Sequence, residues 1–443
     1  MPSVQLDSGT SLEDWFAIFS QRRHCVWLDS VDGARGADWS VLAADPVEVR
    51  VGPRDHLLDW LTEWEERLQT CQTLEIPFVG GVIGQLDYED EIPGYPPAES
   101  PRLSGWLGLY ETALVEHRPT GKVFAVAGEW IEGAEARLAE WVEALPDFVK
   151  GKGDRKPVVK ATRPVPNLSR DEYLRKVEQV RKWIARGDIY QANLSQCFQS
   201  EVNVSAPDLY LSLRSENPAP YSAYLDRGDR QILSSSPELF LEVDSERRVA
   251  TRPIKGTRPR SPKSQEDIDL AQALRENEKE QSELLMIVDM ERNDLGRVCE
   301  TGSVVADREF TVESFASVHH LVGEVRGSLR EGVSMGDLLA ATFPGGSITG
   351  APKKRAMEII RDLEKRSRGA YCGTIGFLSA GGISRWNIAI RTIEKKGSTV
   401  SFAVGAGIVW DSSPQAEYEE TLQKARKILS CLGWSEEKLQ QID

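Results

Sequence analysis

The chain has 443 residues, with 54 Lys and Arg against 69 Asp and Glu and a formal net charge of -15, which argues against nucleic acid and anionic membranes and leaves small molecules or proteins as partners. Its length calls for two domains or one large two-lobed unit, and its six cysteines (Cys25, Cys71, Cys197, Cys299, Cys372, Cys431) lie too far apart for a C-x-x-C metal site or a disulfide framework. No apolar run reaches membrane-spanning length and Met1-Pro-Ser-Val has no basic flank, so the expectation is an unprocessed, soluble protein of the reducing cytoplasm with no membrane contact.

In chain order, the strand-like runs Cys25-Val-Trp-Leu28 and Pro77-Phe-Val-Gly-Gly-Val-Ile-Gly84 alternate with helical stretches near 56–70 and 133–145. Residues 149–167 are rich in Lys, Gly and Pro, lack an apolar period and read as a linker. This divides the chain into an N-terminal region 1–148 and a second region 168–435, intertwined in one structural unit. Ser169-Arg-Asp-Glu172 is a capping box, and Tyr173, Val177, Val180 and Ile184 form the apolar stripe of the helix it opens, which ends at Gly187. Short strands and long helices without regular alternation predict an α+β fold, and no internal repeat is present.

Several residues carry chemistry. Glu238, in Ser-Ser-Ser-Pro-Glu-Leu-Phe240, sits beside apolar groups that raise a carboxyl pKa toward general-acid use. Lys255, in Thr251-Arg-Pro-Ile-Lys-Gly-Thr257, is placed as a nucleophile if a pocket shields it, against the competing reading of a solvated lysine beside a turn. Glu280 and Glu283, in a polar helical stretch from Arg275 to Glu283, share one helix face, as do Glu417 and Glu420 on a last helix opened by Ser413 and Pro414. Two such pairs suit Mg²⁺, which takes one or two carboxylates plus waters and an anionic ligand; solvated acidic faces are the alternative. Phe343-Pro-Gly-Gly-Ser-Ile-Thr-Gly-Ala-Pro-Lys-Lys-Arg355 combines close backbone amides, the hydroxyls of Ser347 and Thr349 and a helix start, all suited to an anion, but it is not a Walker A loop. Gly405-Ala-Gly407 reads as a second amide-rich turn after the strand Val400–Val404. Arg391 interrupts an alternating apolar strand, positioned either to clamp a carboxylate or to form a structural ion pair, and His320 reads as a core histidine or a substrate-orienting one.

Taken in order, Gly187–Ser195, Ser236-Pro-Glu238, Pro253–Thr257, Asp289–Arg297, Phe343–Lys353, Tyr371–Gly376 and Gly405–Gly407 closely resemble the chorismate-utilising enzymes. Residues 165–432 carry the likeness strongly, and 20–120 more loosely through Phe78–Gly84 and Leu107-Gly-Leu-Tyr-Glu111. The combination of Lys255 with Gln191 is similar to the aminodeoxychorismate synthase branch: anthranilate synthases usually carry Ala at the first position, and isochorismate and salicylate synthases a Lys base at the second.

The resemblance implies a two-lobed fold of the anthranilate-synthase type, with two facing β-sheets and helices outside. It implies attack of Lys255 on C2 of chorismate, Glu238 protonating the departing C4 hydroxyl, and ammonia entering at C4 to give 4-amino-4-deoxychorismate for 4-aminobenzoate and folate synthesis. Mg²⁺ would sit on Glu283 and Glu420, supported by Glu280 and Glu417. Chorismate would lie against Gln191, Gly256, Thr257, His320, Thr349, Tyr371, Arg391, Gly405, Ala406 and Gly407. No Gly-x-Cys-x-Gly glutaminase motif is present, so ammonia would come from a separate glutaminase subunit in a heterodimer. Leu28-Asp-Ser30 resembles the segment lining a tryptophan pocket in relatives, yet Asp29 and Asp38-Trp-Ser40 depart from that pattern and leave a structural role open. The alternatives are anthranilate synthase component I and, in another class, a non-catalytic tryptophan-binding regulatory subunit.

Overall fold

The capping box forms as its residues predict: the Ser169 hydroxyl accepts from the Glu172 amide, the Glu172 carboxylate accepts from the Ser169 amide at 2.8 Å, and the helix Arg170–Ala185 buries Tyr173, Val177 and Val180. The polar stretch from Arg275 to Glu283, expected as continuous helix, is two helices, Ser264–Arg275 and Glu278–Gly296. Asn277 intervenes and accepts from the Glu280 amide at 3.0 Å, because an Asn side chain competes for backbone donors and so starts helices better than it continues them. These elements belong to a computed structural model that describes residues 3–6, 10–31, 38–69, 75–89, 104–145, 158–307, 309–315 and 318–434. Cys71 and the first part of the expected linker, 149–157, lie outside the described residues.

Among the described residues the strands form a twelve-stranded, a nine-stranded and a three-stranded sheet. The two large sheets face each other across a shared apolar layer in which Val26, Val41, Ala223 and Ile232 meet Ile83, Trp106, Ile375 and Phe377. On the outer face of the larger sheet, Trp27, Leu42, Phe198 and Phe402 pack with the helices Leu12–Phe19, Ala206–Glu216 and Pro414–Cys431. On the outer face of the smaller one, Val82, Leu107 and Leu241 pack with Arg54–Leu68, Glu278–Gly296 and Met335–Thr342. This is an α+β sandwich with helices outside, as expected. The small third sheet, which pairs Ile254–Pro259 with Val318–Val322, is an addition to that expectation.

Both large sheets draw strands from each end of the chain. Val26–Asp29 pairs with Tyr221–Asp226, and Gly81–Leu86 pairs with Thr374–Ser379. A buried ion pair reinforces the first of these joins: Arg214, on Ala206–Glu216, holds Asp29 at 2.5 Å, and Ser40 Oγ donates to the same carboxylate at 3.1 Å. Near the end of the expected linker, Val165–Pro166 pairs with Phe198 and Gln199, so this stretch adds backbone to the large sheet. Among the described residues no helix is long and apolar enough to cross a membrane.

Candidate active site

Two of the places where the chain crosses from one large sheet to the other lie side by side. The first runs from Gln231–Ser236 in the larger sheet to Leu239–Val243 in the smaller; the second runs from Ser384–Asn387 back to Thr392–Lys396. They are stitched by Ser236 Oγ donating to Ile388 O at 2.5 Å and by the Ile388 amide donating to Glu238 O at 3.1 Å. Glu238 sits on the first crossing and Arg391 on the second. Arg391 therefore does not interrupt a strand, as the alternation suggested: it ends a segment that changes sheets, with φ +51°.

Burial raises the Glu238 carboxyl from 4.5 to about 7, against the pull of the Ser347 hydroxyl, the Lys255 ammonium, the Ile254 amide and Lys424. Glu238 is thus held near the balance point between acid and carboxylate at neutral pH. Arg391 is pushed down to about 10 by burial, with Glu238 opposing. His320 is lowered to about 3, by burial first and then by Arg391, and is a neutral imidazole. Its Nε2 lies 3.5 Å from Arg391 Nη2, and its Nδ1 lies 3.0 Å from Thr257 Oγ1 and 3.3 Å from Gly256 O. The guanidinium can only donate, so Nε2 accepts and Nδ1 carries the proton.

Lys255 and Thr257 flank a bulge in the three-stranded sheet, made by Gly256 at φ +67°. A side chain at Gly256 would meet Leu274 Cδ1 at 2.7 Å and the Glu280 carboxylate at 3.1 Å, so the glycine brings this strand against the acidic helix. Lys255 lies on the other side of the bulge: a side chain at Gly407 would meet Gln191 Nε2 at 2.8 Å and Lys255 Nζ at 3.3 Å. Gln191 and Lys255 thus converge on one glycine, and Gln191 Oε1 is buried without a hydrogen-bond partner among the described residues. A side chain at Gly405 would meet the Tyr371 hydroxyl at 2.9 Å and Asn193 Oδ1 at 3.1 Å.

Gly405, Ala406 and Gly407 do not form the amide-rich turn expected of them. They lie within the strand Thr399–Ile408, paired with Ser195, Leu194 and Asn193 on one side. On the other side, pairing with Thr392–Lys396 ends at Phe402, and among the described residues that edge has no strand partner beyond it. An open strand edge presents backbone donors and acceptors as a turn does, in a straight row. The Phe343–Arg355 segment also differs from a simple cradle. Thr349 Oγ1 donates to Gly345 O at 2.9 Å, and Lys353 Nζ turns inward to Asp294 at 2.5 Å, so both stabilise the turn and Ser347 is left facing Glu238.

The two acidic pairs approach each other across helices. Burial raises Glu283, with Lys255 and Lys279 lowering it and Glu280 and Glu420 raising it. Burial also raises Glu417, whose Oε1 accepts from Ser412 Oγ at 2.6 Å. Glu420 is lowered: burial opposes ionisation, but Lys424 prevails from 2.6 Å. Among the described residues no three His, Cys, Asp or Glu side chains stand close enough to form a ready metal cage. The set nonetheless fits a hard cation that needs few protein ligands: it is all oxygen, partly buried, and Glu283 already feels two like charges. Lys424, which the sequence reading missed, donates to Gly405 O at 2.9 Å as well as pairing with Glu420. Its signal was present as an i, i+4 spacing on the last helix.

Leu28 and Ser30 line a cavity of about 40 Å³ with Trp39, Tyr221 and Phe377. Ser30 Oγ donates to Trp39 O at 2.9 Å, and Asp29 is held by Arg214, so the polar groups of this segment already serve the sheet.

Similarity to known proteins agrees with this arrangement. The chorismate binding enzyme family model matches residues 21–430. Aminodeoxychorismate synthase component 1 of Bacillus subtilis is 36% identical over 464 residues, covering 98% of this chain and 97% of that protein. Anthranilate synthase component 1 1 of Haloarcula marismortui is 44% identical over 455 residues, covering 97% and 92%. The crystal structure of anthranilate synthase component I from Streptococcus pneumoniae superposes with a TM-score of 0.76 at 33% identity, covering 89% of this chain and 93% of that one. Matches of this extent, together with the convergence of Glu238, Lys255 and Gln191, make the chain a member of the chorismate binding enzyme family.

Proposed function

We propose that this chain aminates chorismate at C4, forming 4-amino-4-deoxychorismate for 4-aminobenzoate and folate synthesis. The observation that carries the reading is the approach of Lys255 Nζ and Gln191 Nε2 to the same glycine, Gly407, on the open strand edge. Lys255 is the nucleophile: its nitrogen lone pair bonds to C2 of chorismate, both ring double bonds shift by one position to C6=C1 and C4=C5, and the C4–O bond breaks. Glu238 gives its proton to the departing hydroxyl, which leaves as water. Ammonia then bonds to C4, both double bonds shift back, the C2–N bond to Lys255 breaks to restore the lysine, and the new C4 ammonium gives up a proton that restores Glu238. Gln191, with an acceptor oxygen free, orients the incoming ammonia, and Arg391, Thr257, neutral His320 and Tyr371 hold the substrate.

Mg²⁺ would be held by Glu283 and Glu420 with Glu280 and Glu417 in support, and when bound it neutralises a substrate carboxylate. Ammonia comes from a separate glutaminase subunit. The five described cysteines are free thiols, and burial raises Cys25, Cys197, Cys299, Cys372 and Cys431 away from the reactive thiolate. Free thiols also support a cytoplasmic setting.

The test is incubation of the purified chain with chorismate, Mg²⁺ and ammonium at mildly alkaline pH, with product analysis by mass spectrometry. 4-Aminobenzoate that appears only when an aminodeoxychorismate lyase is added supports the proposal. The Haloarcula relative favours a second reading, anthranilate synthesis, and direct formation of fluorescent anthranilate would replace the first with it.

A further inference from the structure

Behind Tyr371 lies a buried charged cluster that the proposed chemistry does not use. Arg368 is 4% exposed, and each nitrogen of its guanidinium donates a hydrogen bond. Nε and Nη2 donate to the two oxygens of Glu364 at 3.0 and 2.7 Å, Nη1 to Ile348 O at 3.0 Å, and Nη2 also to Asn193 O at 2.6 Å. Its central carbon lies 4.5 Å from the Tyr88 ring centre and 5.8 Å from that of Tyr371. Glu364 in turn accepts from both the amide and the hydroxyl of Ser195 at 2.8 Å.

One guanidinium therefore joins the Gly-rich turn at Ile348, the strand carrying Gln191 and Asn193, the end of the helix Lys353–Glu364, the ring of Tyr88 from a distant segment and that of Tyr371 three residues further on. A buried ion pair of this kind is weak evidence for stability, because desolvation offsets most of the attraction. Its planar fork does fix geometry, since each donor direction is set by the others. Two groups it holds, Tyr371 and the Asn193 stretch, are the ones whose polar atoms crowd Gly405.

We infer that Arg368 is a positioning residue for the substrate face: it holds Tyr371, Asn193 and the Ile348 turn in one fixed relation, and affinity for chorismate depends on it although it touches no substrate. The inference rests on Tyr371 facing chorismate, as proposed above.

The test is a double-mutant cycle with Arg368→Lys and Tyr371→Phe, measuring KM for chorismate and kcat with ammonium, alongside thermal unfolding of each variant. Arg368→Lys keeps the charge and loses the fork and the stacking plane. The expected result is a KM raised about tenfold or more with kcat reduced less than about threefold, and a further KM change below about threefold when the same substitution is made on Tyr371→Phe. Equal KM factors in both backgrounds, or an unmoved KM, overturns the inference. If Arg368→Lys does not fold, Tyr88→Leu removes the other face of the stack and enters the same cycle under the same criteria. If Tyr371→Phe alone leaves KM unchanged, the placement of Tyr371 at the substrate is wrong and the inference falls with it, while product identity still reports separately on the amination reading.

Discussion

At Glu238, the demands of the fold and of the proposed chemistry oppose each other. A carboxyl raised from 4.5 to about 7 binds its proton more tightly in the folded than in the unfolded chain. Its contribution to stability is therefore fully present below pH 4.5 and is lost as pH rises through about 7. The loss amounts to about 3 kcal/mol when complete. Glu238→Gln removes that slope: urea titrations at pH 8 should find the variant more stable than wild type by up to about that amount, with amination abolished. In wild type, the rate expressed per unit of free ammonia should fall as pH rises through the same range, because the proton donor is lost. Lys255→Ala should abolish any covalent adduct with chorismate, as read by intact-protein mass spectrometry, and an adduct persisting on another residue would refute the role assigned to Lys255.

Among the secondary-structure elements, two glycines control how closely the strands bring their side chains together. At Gly407 a methyl group would meet Gln191 Nε2 and Lys255 Nζ, which are the flexible ends of side chains, at 2.8 and 3.3 Å. Gly407→Ala should therefore fold nearly as wild type does but lose at least about tenfold in kcat, because a displacement of about an ångström at a reacting group is costly in rate. Gly256 is different in kind. Its φ of +67° disfavours any side chain, and Leu274 Cδ1 stands 2.7 Å from the position a methyl would take. Gly256→Ala should lower both activity and unfolding temperature, by about 1–3 kcal/mol of stability. The contrast between the two variants, checked by calorimetry beside steady-state kinetics, separates a site-shaping glycine from a backbone-shaping one.

At the scale of the molecule, each large sheet joins a block of strands from one half of the chain to a block from the other at a single seam, and a charge pair reinforces one of these joins. Arg214 holds Asp29 at 2.5 Å across one such join. Arg214→Ala leaves that carboxylate buried and without its cation, and denaturant unfolding should report a loss of about 3–5 kcal/mol with a single transition spanning both halves. Two separate transitions would show that the halves unfold independently.

Much of this was present in the sequence, because local patterns report local physics. The capping box at Ser169, the α+β class and the paired glutamates are each set by residues within a few positions of one another, and each forms where it was read, whereas the Gly-Thr turn expected after Lys255 is a bulge inside the strand Ile254–Pro259. Other features were decided only by tertiary structure. Gly405–Gly407 looked like a turn, because glycine content shows backbone freedom and not whether a neighbouring strand will pair with it. Arg391 looked like a strand interruption, because alternation cannot show that the chain is passing between two sheets. Lys424 and Arg368 went unnoticed, since a basic residue becomes a constituent of a site only when distant carboxylates, carbonyls and rings are packed around it. The sequence by itself determined which chemical groups the site contains; the packing of the two sheets decided which of them meet, because the burial and proximity that shift Glu238 and aim Lys255 arise between segments far apart in the chain.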